Sequence, residues 1–167
     1  MWQLYLRLGW SNKMRIFISY STEDLNLVFE IENYLRKHAE VFYWKKDKIL
    51  GEEAWNTIFN WIDQADLVLA VITGNTVYRA MAVGQEIGHA KAKHKTIIPI
   101  VGSEVPGEEL GFLSGTTYEP IDRNNPGPAI QAVEKGIIQI KQESEQRNKA
   151  LLFIVGIVAF VWLASKE

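Results

Sequence analysis

Residues 66–76 read Asp66-Leu67-Val68-Leu69-Ala70-Val71-Ile72-Thr73-Gly74-Asn75-Thr76. An unbroken apolar run, opened by an acid and closed by a small polar turn, predicts a strand over 67–72 with no polar face. Such a strand lies inside a sheet covered on both sides. The same pattern repeats outward from it. Upstream, Arg15-Ile16-Phe17-Ile18-Ser19-Tyr20 predicts a first strand, and Ser21 or Thr22 is suited to cap the helix that follows. Leu27, Val28, Ile31, Tyr34 and Leu35 give that helix its spacing, as far as Glu40. Val41–Trp44 predicts a second strand and 45–51 a loop. Trp55, Ile58, Phe59 and Ile62 form one face of the next helix. Downstream come a helix from about Val77 to His94 and a strand over 96–101, whose Pro99 points to a sheet edge or bulge. A weak strand near 117–121 and a helix from Pro128 through Ile140 follow.

Strand and helix alternating five times define an α/β fold, a five-stranded parallel sheet with helices on both faces. In the strand order 2-1-3-4-5, ligands bind beyond the C-terminal ends of strands one and three, where the order reverses. That selects the loops after Tyr20 and after Ile72. The helix after the third strand carries Arg79, Ala82, Glu86, His89 and Lys93 at helical steps, so they share one face. Ala80, Val83, Ile87 and Ala90 form the neighbouring apolar stripe, so Glu86 sits beside the buried side. Neither GxGxxG nor GxxxxGK[ST] occurs, and the third strand ends without an acceptor Asp.

Composition removes several function classes. The chain has 167 residues, a net charge of −2 and no Cys. A single domain with ends attached is the expectation at this length. The charge balance excludes a general nucleic-acid binder, and the missing thiols exclude disulfide scaffolds, thiolate metal sites and thiol catalysis. Three scattered His do not make a metal site, and none is expected. Six Trp, six Tyr and seven Phe exclude disorder.

The ends differ from the middle. Ala150–Ala164 reads ALLFIVGIVAFVWLA, apolar all round, about 22 Å of helix against a hydrocarbon core near 30 Å. Snorkelling by Lys149 and Lys166 closes that gap, so 150–165 is expected to cross a membrane once. Arg147 and Lys149 outweigh Lys166, which places the domain on the cytoplasmic side. The expected organisation is an N-terminal extension over 1–13, one domain over 14–141, a charged linker over 142–149 and the membrane helix. Within 1–13, Trp2, Leu4, Leu6, Leu8 and Trp10 alternate with more polar residues. That pattern suits an edge strand, a segment lying on lipid, or an extension ahead of a start at Met14.

Four blocks in order carry a resemblance: RIFISYSTED (15–24), KKDKILGEEAW (45–55), ADLVLAVITGN (65–75) and VGQEIGHAKAKHKTIIPIV (83–101). Together they resemble the Toll/interleukin-1 receptor (TIR) domain in its prokaryotic form, over roughly residues 14 to 140. The resemblance implies a flavodoxin-like fold and, for many such domains, cleavage of NAD+ at the nicotinamide glycosidic bond. The carboxylate that does this lies on the helix after the third strand, here Glu86. Tyr20, Ser21 and Thr22 match positions that approach the nucleotide. Lys48 and Gly51 match the loop that closes on the ligand and mediates self-assembly. Asp47 caps that loop or binds, Gly51 is equally a plain turn residue, and Arg79 is a further candidate for the substrate. NAD+ enters as substrate, with no cofactor.

Two positions depart from the family pattern. Ala82 stands four residues before the glutamate, where relatives often have Trp. Trp44 stands seven residues before the loop glycine, where they often have Asp. Trp44 reads as a buried anchor or as a displaced aromatic surface. The expected function is a membrane-anchored NAD+ glycohydrolase or ADP-ribosyl cyclase in antiviral defence signalling. The alternatives are a non-catalytic adaptor working through TIR–TIR assembly or with a partner protein, and a cluster whose terminal helices perturb the bilayer.

Overall fold

The computed structural model describes residues 13–44, 52–77, 80–113 and 115–164, the last of these from 148 onward by backbone alone. Five strands form one parallel sheet in the order β2-β1-β3-β4-β5. They are β1 (Met14–Ser19), β2 (Ala39–Tyr43), β3 (Leu67–Ile72), β4 (Thr96–Gly102) and β5 (Glu119–Ile121). The helices are α1 (Leu25–Leu35), α2 (Glu52–Gln64), the single turn α3 (Gly74–Val77), α4 (Ala80–Ala92) and α5 (Gly127–Ala164), with 3-10 turns at Thr22–Asp24 and Gly107–Leu113. Residues 1–134 and 135–167 form two compact units.

The central strand is where its sequence placed it, and all six residues of Leu67–Ile72 are buried. Alternation sends Phe17, Val68 and Ala70 to one face, against Ile58 and Ile62 of α2 and Val83, Ile87 and Ala90 of α4. Ile16, Ile18, Leu67 and Leu69 point the other way and are fully buried too. Apolar surface buried on that face has to be covered by the remaining amphipathic elements, and α1 buries Leu27, Val28, Ile31 and Leu35. Tyr43 at the end of β2 donates its phenol to Glu32 of α1 at 2.5 Å. Burial, and next the hydrogen bond to that carboxylate, holds the phenol well above the ordinary tyrosine range.

Several boundaries differ from expectation, among them the helix expected over about 77–94, which is found as Gly74–Val77 and Ala80–Ala92. The first helix stops at Leu35, not Glu40, and β2 starts at Ala39. The apolar stripe ends at Leu35, and Ala39 is claimed by pairing with Met14, which opens β1 one residue early. Pro99 lies on an inner strand of the five-stranded sheet and not on an outer one, paired with Ala70 of β3. The β4–β5 ladder begins only at Ile100, so the flank of β4 beside Pro99 is open in that ladder. The proline sits where a missing N–H costs least.

Helix α4 ends with His94 at a left-handed φ of 54°. Lys95 N–H bonds to the Ala90 carbonyl at 3.0 Å and His94 N–H to that of Lys91 at 3.0 Å. That is a Schellman stop with histidine in the usual glycine position. Helix α5 is continuous from Gly127 to Ala164. Among the described residues no helix is long and apolar enough to cross a membrane. The segment expected to do so, 150–165, lies outside the residues whose side chains are described, as does the extension before residue 13.

Candidate active site

Strand β1 ends at the sheet's C-terminal edge, where Ser19 shares the face of Phe17 that looks toward α4. Helix α4 docks Val83 and Ile87 against Ala70 and Ile72. Glu86 therefore stands at the margin of that stripe and meets the end of β1. Ser19 Oγ donates to Glu86 Oε2 at 2.5 Å, a buried bond between residues far apart in sequence. Glu86 is 8% exposed. A carboxylate held there is costly unless it is hydrogen-bonded, and the Ser19 hydroxyl meets part of that need while fixing one oxygen in place.

Glu86 lines a cleft of about 150 Å³ with Phe17 and Ile18 of β1, Tyr20 and Thr22 after it, Trp44 after β2, Ala54, Trp55 and Ile58 of α2, and Ala82 of α4. Among these lining residues Glu86 is the one carboxylate. The Tyr20 phenol donates to the Trp44 carbonyl, tying the ends of β1 and β2 together at the rim. The volume is below the roughly 300–1,000 Å³ of clefts that enclose drug-sized ligands. It suits a single ring, with the rest of a larger molecule outside.

The loop after β3 was expected in the crevice, and it does something else. Asp24, 1% exposed, accepts from Thr73 Oγ1 at 2.5 Å, Asn75 Nδ2 at 2.8 Å and Arg123 at 2.8 Å. Glu104 accepts from Gly74 N–H at 3.1 Å and lies 4.0 Å from Arg123. It folds over Gly102, where any side chain would collide with its carboxylate. This network joins the ends of β1, β3, β4 and β5 and fastens α3.

Of the residues singled out from sequence, Tyr20, Thr22 and Glu86 meet in the cleft. Ser21 lies between two of them, 0% exposed, at the cap position of the first 3-10 turn. Its hydroxyl makes no capping bond and no hydrogen bond among the described residues. Asp47, Lys48, Gly51 and Arg79 lie outside the described residues. Trp44 serves in two ways, since it packs against Trp61 at 6.2 Å and also lines the cleft. Sequence reasoning gave no role to the Ser19–Glu86 bond, to Trp55 as a cleft residue, or to the Asp24–Arg123 pair. Only Ser19 carried a signal, a polar residue closing a buried strand at the edge where ligands bind.

Behind the cleft, His89 stacks on Phe59 at 4.3 Å and its Nε2 is 2.8 Å from Asp63, which Lys93 also approaches at 3.3 Å. The His89 hydrogen bond, with Lys93 beside it, holds the Asp63 carboxyl below its usual range.

A parallel sheet of order 2-1-3-4-5 with a buried carboxylate lining a cleft beyond β1 is the architecture of a doubly wound α/β domain. The chain belongs to the TIR domain family, which matches residues 16–137. Its structure is similar to that of the CMP N-glycosidase BcmB from Clostridium botulinum, at 20% identity over 72% of this chain and 98% of that one, TM-score 0.54. It is similar to the TIR domains of the activated Roq1 resistosome, which directly recognises the pathogen effector XopQ, at 14% identity over 75% and 99%, TM-score 0.59. A prokaryotic SEFIR domain matches at 20% identity over 75% and 92%, TM-score 0.56. At these identities the likeness establishes the fold alone. No curated protein matches the chain.

Proposed function

We propose that this TIR domain cleaves the nicotinamide–ribose bond of NAD+, with Glu86 as the catalytic carboxylate. The observation that carries the reading is a buried glutamate, oriented by Ser19, facing a ring-sized cleft at the C-terminal edge of the sheet. N-glycosidic cleavage passes through an oxocarbenium-like ribose, and a fixed carboxylate stabilises that charge as it develops. Ordinary glycoside hydrolysis needs a second carboxyl group to protonate the leaving oxygen. Nicotinamide starts as a cationic pyridinium and departs neutral, so it needs no acid. A nucleotide whose base is neutral, such as the CMP named for BcmB, releases that base as an anion unless a proton is supplied. One carboxylate among the described lining residues therefore favours the cationic leaving group.

In this reading Thr22 and Tyr20 border the ribose site, with Ser21 beside them. Asp47, Lys48 and Gly51 of the loop after β2, with Arg79, contact the remainder of the dinucleotide. Water as acceptor gives ADP-ribose, and an adenine nitrogen gives a cyclic isomer. The apolar segment 150–165 anchors the chain in a membrane with the domain in the cytoplasm, and TIR–TIR self-association there turns the activity on in defence signalling. Confinement raises effective concentration without new contacts. Removing 150–167 then lowers activity more at low protein density than at high density.

The test is nicotinamide release from NAD+ by protein reconstituted in lipid at high density, wild type beside Glu86→Ala. Release by wild type alone supports the assignment. Silence from folded, clustered protein of both kinds moves the function to a non-catalytic adaptor.

A further inference from the structure

The cleft has two unlike walls. Helix α4 contributes Ala82 and Glu86, a methyl group and a carboxyl group, while the β2–α2 side contributes Trp44 and Trp55. We propose that Trp44 and Trp55 form a cation-accepting aromatic wall which, with Glu86, makes the cleft select a positively charged aromatic ring over a neutral ring of similar size.

An indole face attracts a cation through its ring quadrupole, more strongly when water is excluded. A carboxylate on the neighbouring wall adds to that attraction in a low-dielectric cleft. A neutral ring gains packing from the same walls and nothing from either field. The size fits one ring, since about 150 Å³ is available and Ala82 leaves its side of the cleft open.

Both indoles are braced from behind. The Trp44 ring lies 6.2 Å from Trp61 at 49°, and its carbonyl accepts the Tyr20 phenol. Trp55 lies 5.5 Å from Phe59 at 39°, and Phe59 stacks on His89 at 4.3 Å and 14°. His89 is in turn bonded to Asp63. Rings fixed in this way lose little freedom when a ligand arrives, so the attraction is retained as affinity. Sequence spacing assigned Trp55 to the apolar face of its helix; the fold turns it to the cleft.

The ring preference stands on these residues alone. Its extension to the dinucleotide, a preference for the oxidised pyridinium over the neutral dihydropyridine, rests on the glycosidase reading. The experiment is ligand-observed NMR or calorimetry on the full chain, comparing the N-methylnicotinamide cation with neutral nicotinamide. Wild type is expected to bind the cation about tenfold more tightly. Trp44→Leu and Trp55→Leu each reduce that ratio to below about threefold. Equal affinities in wild type overturn the proposal without recourse to any variant. A ratio unchanged in both leucine variants also overturns it. Selective binding without nicotinamide release leaves the wall standing and removes the glycosidase; release without selectivity does the reverse.

Discussion

Two buried carboxylates stand at the C-terminal edge of one sheet, one shut into a hydrogen-bond network and the other lining a cleft. Asp24 is enclosed by Thr73, Asn75 and the guanidinium of Arg123, and its side chain has no exposure. Glu86 is bonded by the Ser19 hydroxyl and opens on a cleft walled by indoles. A carboxylate with its charge matched by an adjacent cation has little left to offer a ligand, and its role is to hold strand ends together. A carboxylate that lines a cleft is within reach of what enters it. The pair thus sets a structural role beside the catalytic one proposed for Glu86.

The largest expected effect is on the chemical side. Glu86→Gln keeps shape and an acceptor for Ser19 but removes the charge. Turnover of NAD+ is expected to fall by about 10²–10³-fold or more, the usual cost of losing one preorganised stabiliser of developing charge. Thermal stability should change little. A melting temperature that collapses along with the activity would place Glu86 in the same structural class as Asp24.

The next effect lies on the other side. Asp24→Ala leaves Arg123 without its partner and Thr73 and Asn75 without their acceptor. A loss of about 3 kcal/mol is expected, the low end for a broken buried pair, because the Arg123 side chain is 42% exposed and can rehydrate. Denaturant unfolding measures it. Protein that remains folded should turn over NAD+ within a few-fold of wild type, and a folded but inactive Asp24→Asn would break the distinction.

Ser19→Ala sharpens it. The substitution removes the hydroxyl that orients Glu86 and leaves the strand's packing in place. Stability is expected to fall by about 1 kcal/mol, the net value of one hydrogen bond. Turnover should fall about tenfold, because a mis-set carboxylate stabilises the transition state less well. A stability loss with unchanged turnover would show that Glu86 is held without Ser19.

How much of this was legible depends on how local each feature is. Leu67–Ile72 could be read residue by residue, because an unbroken apolar run has one structural meaning in an alternating chain. The end of the first helix could not, since Arg36-Lys37-His38 carries no apolar period and the boundary is set by Met14 pairing with Ala39. Within the candidate site, Glu86 was legible from its place beside the apolar stripe and from the QEIG block. Its bond to Ser19 and the Asp24–Arg123 pair, 99 residues apart, were not. Such contacts are created by strand order and crossover helices, which bring together residues that no spacing rule relates. Trp55 shows the same limit, since helical periodicity marks an inward face without distinguishing core from cleft.

Asp63 supplies a third carboxylate, at the surface, and the smallest expected effect. Its folded pKa is depressed chiefly by the His89 hydrogen bond and further by Lys93. A depressed carboxyl binds fewer protons folded than unfolded, so it stabilises above the ordinary carboxylate pKa of about 3.9. That contribution is lost as pH falls from there through the lower folded value. Asp63→Asn should therefore melt slightly below wild type at neutral pH, and the two curves should converge in acid. Water screens this site, so the gap should be far smaller than that for Asp24→Ala. A gap that persists below the carboxyl's titration would mean that Asp63 acts through geometry, by bracing His89 and the Phe59–Trp55 stack behind the cleft, and not through charge.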